Sequence, residues 1–137
     1  MRNDAADRLG RIDAVGAVIK RDGTPLSALR KAVLTDTLAL SRPVEDELLE
    51  VLSRPRLARF IDPQLREEVI GRLLRDPVRF VPTEQVTDCR DAKDNKYLEL
   101  AAAARATLIV SSANDHRVLN PWRGVRILRP VEYCAMT

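Results

Sequence analysis

Cysteine is scarce in this chain: Cys89 and Cys134 stand far apart and form no C-x-x-C pair. A disulfide framework and a cysteine-built zinc site are therefore not indicated, and two free thiols in a reducing compartment are expected. His116 is the only histidine, and no serine or cysteine nucleophile is tied to it by a catalytic spacing, so a surface position is expected for it. Aromatic residues make up 4% of the chain, which favours Trp122 packing as part of a loop over its own domain against stacking on a base. No apolar run approaches the roughly 20 residues of a membrane span. The opening MRNDAADRLG carries Asp4 and Asp7 where a secretory signal would be apolar. Membrane partners are accordingly not expected, and the expected location is cytoplasmic. There is no internal repeat and no low-complexity linker.

What is present suits one globular domain. A chain of 137 residues can close one hydrophobic core, and 45% apolar with 31% charged residues supplies both a core and a wet surface. The net charge is only +3, but arginine provides all but four of the 23 basic residues and the pI is about 9.2. Guanidinium groups pair bidentately with phosphate oxygens, so a nucleic-acid face and a merely solvated one both remain open. Arg54, Arg56 and Arg59 are the tightest such cluster.

The hydrophobic pattern alternates between helical and extended segments. PLSALRKAV, from Pro25 to Val33, has helical spacing, and Thr37 to Ala39, with Leu38 and Leu40, is a short apolar run ended by Ser41. Ser41-Arg42-Pro43 opens a helix with Glu45, Asp46 and Glu47 near its positive end and an apolar face of Val44, Leu48, Val51 and Leu52. Another helix follows Asp62-Pro63, and an edge-like strand is expected at Val78 to Val81. Residues 91–96 lead into the helix YLELAAAARA, whose alanines allow close approach to a sheet or to a second subunit, so a homodimer is open. Thr107 to Val110 is apolar on both faces and reads as the central strand. A polar segment, Ser111 to Asp115, follows. Then come a turn around Asn120 to Gly124, a strand over Val125 to Leu128 and a helix from Pro130. Such alternation predicts a parallel sheet between helix layers, with a ligand crevice at the carboxyl ends of the strands.

Carboxylates collect where that crevice should be: Glu47, Asp91 with Asp94, and Asp115 come from three separate segments. Hard cations such as Mg²⁺ take oxygen ligands and can activate water for attack on a phosphodiester. Taken singly, an aspartate at a helix start is more often a cap.

Three stretches together carry a resemblance. SRPVEDELLEVLSRPRL, CRDAKDNKYLELAAAARATLIVSS and NPWRGVRILRPVEY resemble segments of the PIN-domain family, in the subgroup of toxin components, over roughly Ala17 to Tyr133. The resemblance implies a three-layer α/β/α fold with a mainly parallel central sheet, occupying residues 17–137 after an atypical segment, 1–16. It implies a Mg²⁺- or Mn²⁺-dependent endoribonuclease acting on RNA and neutralised by an antitoxin protein. Glu47, Asp94 and Asp115 would then be catalytic ligands of the metal, with Asp91 as an auxiliary metal ligand.

Two positions depart from that pattern. The family's first strand ends in Asp-Thr-Asn, but the aligned piece here is Leu9-Gly10-Arg11-Ile12-Asp13, with Gly10 at the aspartate. Ala113 stands at the first acid of the Asp-x-Asp pattern after the central strand, leaving Asp115. The charged segment 1–16 is a poor central strand, so the first strand is expected to be disrupted, as a shifted reading frame or gene decay would leave it. A cation losing two of four carboxylates binds much more weakly. The acidic site is thus expected to be partly lost. The alternative is a non-cutting PIN-like protein that binds RNA or an antitoxin.

Overall fold

A computed structural model describes residues 17–20, 26–54 and 63–136 of the chain. The elements run β1 (Ala17–Ile19), α1 (Leu26–Thr35), β2 (Ala39–Leu40), α2 (Arg42–Leu52), α3 (Pro63–Arg75), β3 (Val78–Arg79), a 3-10 turn (Ala92–Asp94), α4 (Asn95–Ala104), β4 (Leu108–Val110), α5 (Asn114–Arg117), β5 (Arg126–Leu128) and α6 (Pro130–Ala135). Strands β1, β4 and β5 form a parallel sheet with β4 in the middle, and β2 pairs with β3, also parallel. Because β2 also lies against β1, the two pieces form one layer with helices on both faces, the α/β/α arrangement expected from the alternating pattern.

Local chemistry sets the element ends. Ser41 Oγ accepts from the Val44 N–H at 3.4 Å and so caps α2, while a proline sits in its first turn, where no N–H is missed. The α2 face expected to be apolar is the buried one: Val44, Leu48, Val51 and Leu52. Asp91 caps the 3-10 turn that feeds α4 by accepting from Lys93 N–H. At its other end α4 stops on Arg105, in left-handed conformation, with the Ala106 N–H returning to the Ala101 carbonyl at 3.0 Å.

The core gathers where the layers meet. Leu108, Ile109 and Val110 are all buried, as a strand flanked and covered on both sides must be. Ala101 and Ala104 are buried against their own chain, so the smooth face of α4 serves internal packing. No helix among the described residues is long and apolar enough to cross a membrane.

Several boundaries differ from the sequence reading. The strand pairing with β4 is Ala17–Ile19, downstream of the aligned piece around Gly10; Gly10, Asp13 and the rest of residues 1–16 lie outside the described residues, as do Pro25 and Asp62. The 78–81 strand is shorter than expected, because Val81 is exposed and pairs with nothing in the sheet. The segment after β4 is not merely a polar connection: residues 114–117 turn into the short helix α5.

Ile109 is fully buried at the centre of the sheet. Ile109→Ala should therefore lower the unfolding free energy by about 2–5 kcal/mol in urea titration. A loss below about 1 kcal/mol would place β4 away from the packed centre.

Candidate functional site

Parallel strands deliver their following residues to one end of the sheet, and the charged cluster is built there. Lys20 directly follows β1, and its N–H continues the ladder by donating to the Val110 carbonyl at 3.0 Å. Ser41 follows β2 and starts α2, which carries Glu47 toward the same end. Ser111 follows β4 and leads to Asp115 in α5, while the 3-10 turn brings in Asp94.

The side chains meet as an alternating set of charges. The Lys20 ammonium lies 3.7 Å from Glu47 Oε2 and 3.5 Å from Asp94 Oδ1, and the Lys96 ammonium lies 2.9 Å from Glu47 Oε1. Both lysines also stand over the Tyr97 ring, 5.5 and 5.8 Å from its centroid. Asp94 is only 6% exposed. Burial holds its carboxyl above the usual carboxylate range; the Lys20 ammonium pulls the other way, and the facing Asp115 carboxyl pushes it further up. Glu47 Oε2 is a buried oxygen with no hydrogen-bond partner.

A buried hydrogen-bonded knot fixes Asp94 and Asp115 relative to the sheet. His116 is fully buried, against the surface position expected for it, because both ring nitrogens have partners inside. Its Nε2 lies 2.9 Å from the Asp94 carbonyl and its Nδ1 2.8 Å from Ser111 Oγ. A carbonyl only accepts, so Nε2 carries the proton and Nδ1 accepts from the Ser111 hydroxyl, whose oxygen in turn accepts from the Ala113 N–H at 3.1 Å. Tyr97 meets the imidazole edge-on, with centroids 5.5 Å apart. With no access to solvent, this Ser–His pair is a brace and has no room for a substrate.

The carboxylates expected from the sequence are placed unequally. Asp94 and Asp115 face one another, and Glu47 joins them only through Lys20. Asp91 stands apart: its side chain is 48% exposed, caps the 3-10 turn and lies 3.9 Å from the Lys93 ammonium, while its N–H donates to Asp115 Oδ2 at 3.2 Å. Ala113 brings no acid. Of the arginine cluster, Arg54 pairs with Glu50, and Arg56 and Arg59 lie outside the described residues.

The residues suit a divalent cation in kind but not in arrangement. All the donors are carboxylate oxygens, and Glu47 Oε2 has no hydrogen-bond partner, as a ligand oxygen would. Yet among the described residues no group of three or more acids, histidines or cysteines lies close enough together to hold a metal ion. The Lys20 ammonium sits between Glu47 and Asp94. Lys20 was missed in the sequence, although it directly follows the apolar triplet Ala17-Val18-Ile19; Lys96, Ser111 and His116 carried no spacing that announces them.

The PIN domain family model matches residues 14–115, a span that holds Lys20, Glu47, Asp94 and Asp115. No curated protein and no solved structure matches the chain.

Two outcomes follow from the charges. A carboxyl raised by burial keeps its proton to higher pH when folded than when unfolded. It therefore subtracts stability as pH climbs from its ordinary value of 3.8 through the raised one. Asp94→Asn should consequently raise the melting temperature at neutral pH, with the gain shrinking toward about pH 4; an equal gain at both pH values would contradict the buried carboxyl. Cys89 is buried, and burial together with the carboxylates of Asp115, Asp94, Asp88 and Asp91 pushes its thiol up to about 12, whereas Cys134 is exposed. Iodoacetamide at about pH 8 should alkylate Cys134 and spare Cys89 in peptide mapping of the folded chain; rapid labelling of both would refute the closed packing around Cys89.

Proposed function

Because this chain belongs to the PIN-domain family, whose members are generally nuclease-like, we propose that it is a weakened PIN-type endoribonuclease. It engages RNA but retains at most a small part of a divalent-metal-dependent cleavage activity. The observation that carries the reading is the Lys20 ammonium, 3.5 Å from Asp94 and 3.7 Å from Glu47.

An ammonium does part of what a metal does for the protein. It neutralises carboxylates that would otherwise repel one another in a partly buried cleft. It carries only one charge, though, and binds no water as a ligand, so it neither generates hydroxide nor stabilises charge building on a phosphate. The acids fit a divalent cation only in kind. What these residues do is hold charge: Glu47 spans the two lysines, Asp94 spans Lys20 and Asp115, and His116 fixes the backbone on which Asp94 sits.

A second reading, a fully active Mg²⁺- or Mn²⁺-dependent toxin held in check by an antitoxin protein, has one observation in its favour. Glu47 Oε2 is buried without a hydrogen bond, and such an oxygen is costly unless something binds it. In that reading Glu47, Asp94 and Asp115 are the metal ligands. The toxin assignment rests on the segment likeness, that of CRDAKDNKYLELAAAARATLIVSS together with the strand–helix tail Asn120–Tyr133.

Incubating the purified chain, Asp94→Asn and Lys20→Gln with single-stranded RNA and Mn²⁺, alongside Mn²⁺ calorimetry, separates the two. For the weakened enzyme, wild type should cut little faster than Asp94→Asn, and Lys20→Gln should bind Mn²⁺ about tenfold tighter or more, since a competing charge is gone. Tight Mn²⁺ binding by wild type, with cleavage abolished in Asp94→Asn, would establish the fully active metal-dependent nuclease instead.

A further inference from the structure

The opposite end of the sheet holds a feature that the acidic cleft does not use. A cavity of about 650 Å³ opens where β4 and β5 begin, between the end of α4 and the turn 122–125. Its volume falls in the range of ligand pockets. Ala102 and Ala106 contribute to an apolar wall, with Trp122, 5% exposed, beside them. Three guanidiniums from three elements line it, Arg105 after α4, Arg123 in the turn and Arg126 at the start of β5, against one carboxylate, Glu84.

These arginines are not equivalent. Arg123 is anchored: it donates to both oxygens of Glu84 at 2.9 and 2.6 Å and lies 4.4 Å over the Trp122 ring, whose Nε1–H donates to Asp88 at 2.7 Å. The side chains of Arg105 and Arg126 make no ion pair with a carboxylate among the described residues, so their donors are open to a ligand. Arg105 offsets the negative end of the α4 dipole. That role does not account for Arg126, which belongs to a strand.

Backbone conformation points to the same place. Among the described residues the non-glycine positions with positive φ are Arg105 at 52° and Arg123 at 49°, and both line this cavity. Glycine is the usual occupant of such a helix end, and an arginine there accepts strain that a glycine avoids. Strained positions that persist around one concavity point to a use for the side chains they carry.

We propose that this cavity is a phosphate site, taking the phosphate of a nucleotide or of an RNA strand. Arg105 and Arg126 are its free donors, Arg123 is its anchored wall over Trp122, and the alanine surface receives the attached sugar or base. Guanidinium forks match phosphate oxygens in charge and geometry, which ammonium groups do not. The proposal does not depend on whether the acidic cleft at the other end cuts RNA.

Trp122 is the only tryptophan, so its fluorescence reports on this cavity alone. The full chain should be titrated with inorganic phosphate, uridine monophosphate, a short single-stranded RNA and polyglutamate. Arg126→Glu, Arg105→Gly and, as a surface control, Arg75→Glu should be titrated beside it. Expected are saturable binding of phosphate-bearing probes, a loss of about tenfold in Arg126→Glu, and little change in Arg75→Glu. Arg105→Gly should weaken binding while holding or raising the melting temperature, because strain leaves with the charge. For RNA, the slope of log K against log salt should fall by about one in Arg126→Glu. Binding of phosphate and the mononucleotide assigns a small ligand, and binding of RNA alone assigns a strand backbone; either supports the site. It is overturned by no saturable binding, by equal losses in Arg126→Glu and Arg75→Glu, or by polyglutamate binding as tightly as RNA.

Discussion

Carboxylates drawn together and partly stripped of water need positive charge beside them, and that requirement governs the business end of this molecule. A parallel sheet delivers Glu47, Asp94 and Asp115 to its carboxyl edge whatever the chain does with them there. Left alone they would repel one another and resist burial. Two ammonium groups, from Lys20 and Lys96, meet the need, and they do so from within the chain. A protein that brings its own counter-charge has a smaller electrostatic reason to recruit a metal.

Beneath the charges lies a scaffold that tolerates little change. His116, Ser111 and the Asp94 carbonyl form a closed chain of hydrogen bonds in a region without solvent, with Tyr97 packed on the imidazole. Buried polar chains of this kind fix one geometry, because any rearrangement leaves a donor or acceptor unpaired. The separation of Asp94 and Asp115 is therefore set by the fold, and only the side chains above it are free to trade partners.

The architecture was largely legible in the residues. Helices α1 to α4 follow from apolar spacing and from caps such as Ser41, and β4 from its unbroken apolar run, because burial on both faces leaves that mark. Less legible were features that depend on contacts between distant segments. Asp94 stood out as an acid, but its neighbour Lys20 lies 74 residues away in the chain and announces itself only when β1 and the 3-10 turn meet. His116 read as a surface residue because one histidine in a polar stretch has no periodicity to betray burial. Short strands blur as well: two paired residues, as in β3, carry almost no alternation to read.

The irregular stretch between β3 and the 3-10 turn is fastened along its length. Glu84 and Asp88 are tied to Arg123 and Trp122 at one pole of the sheet, the Val86 and Cys89 amides are bonded to Glu99 and Asn95 on α4, and Asp91 reaches Asp115 at the other pole. It behaves as a tie rod, its slack removed at every station. The arginine-lined end and the acidic end of the sheet are thus joined by one segment held at both of its ends.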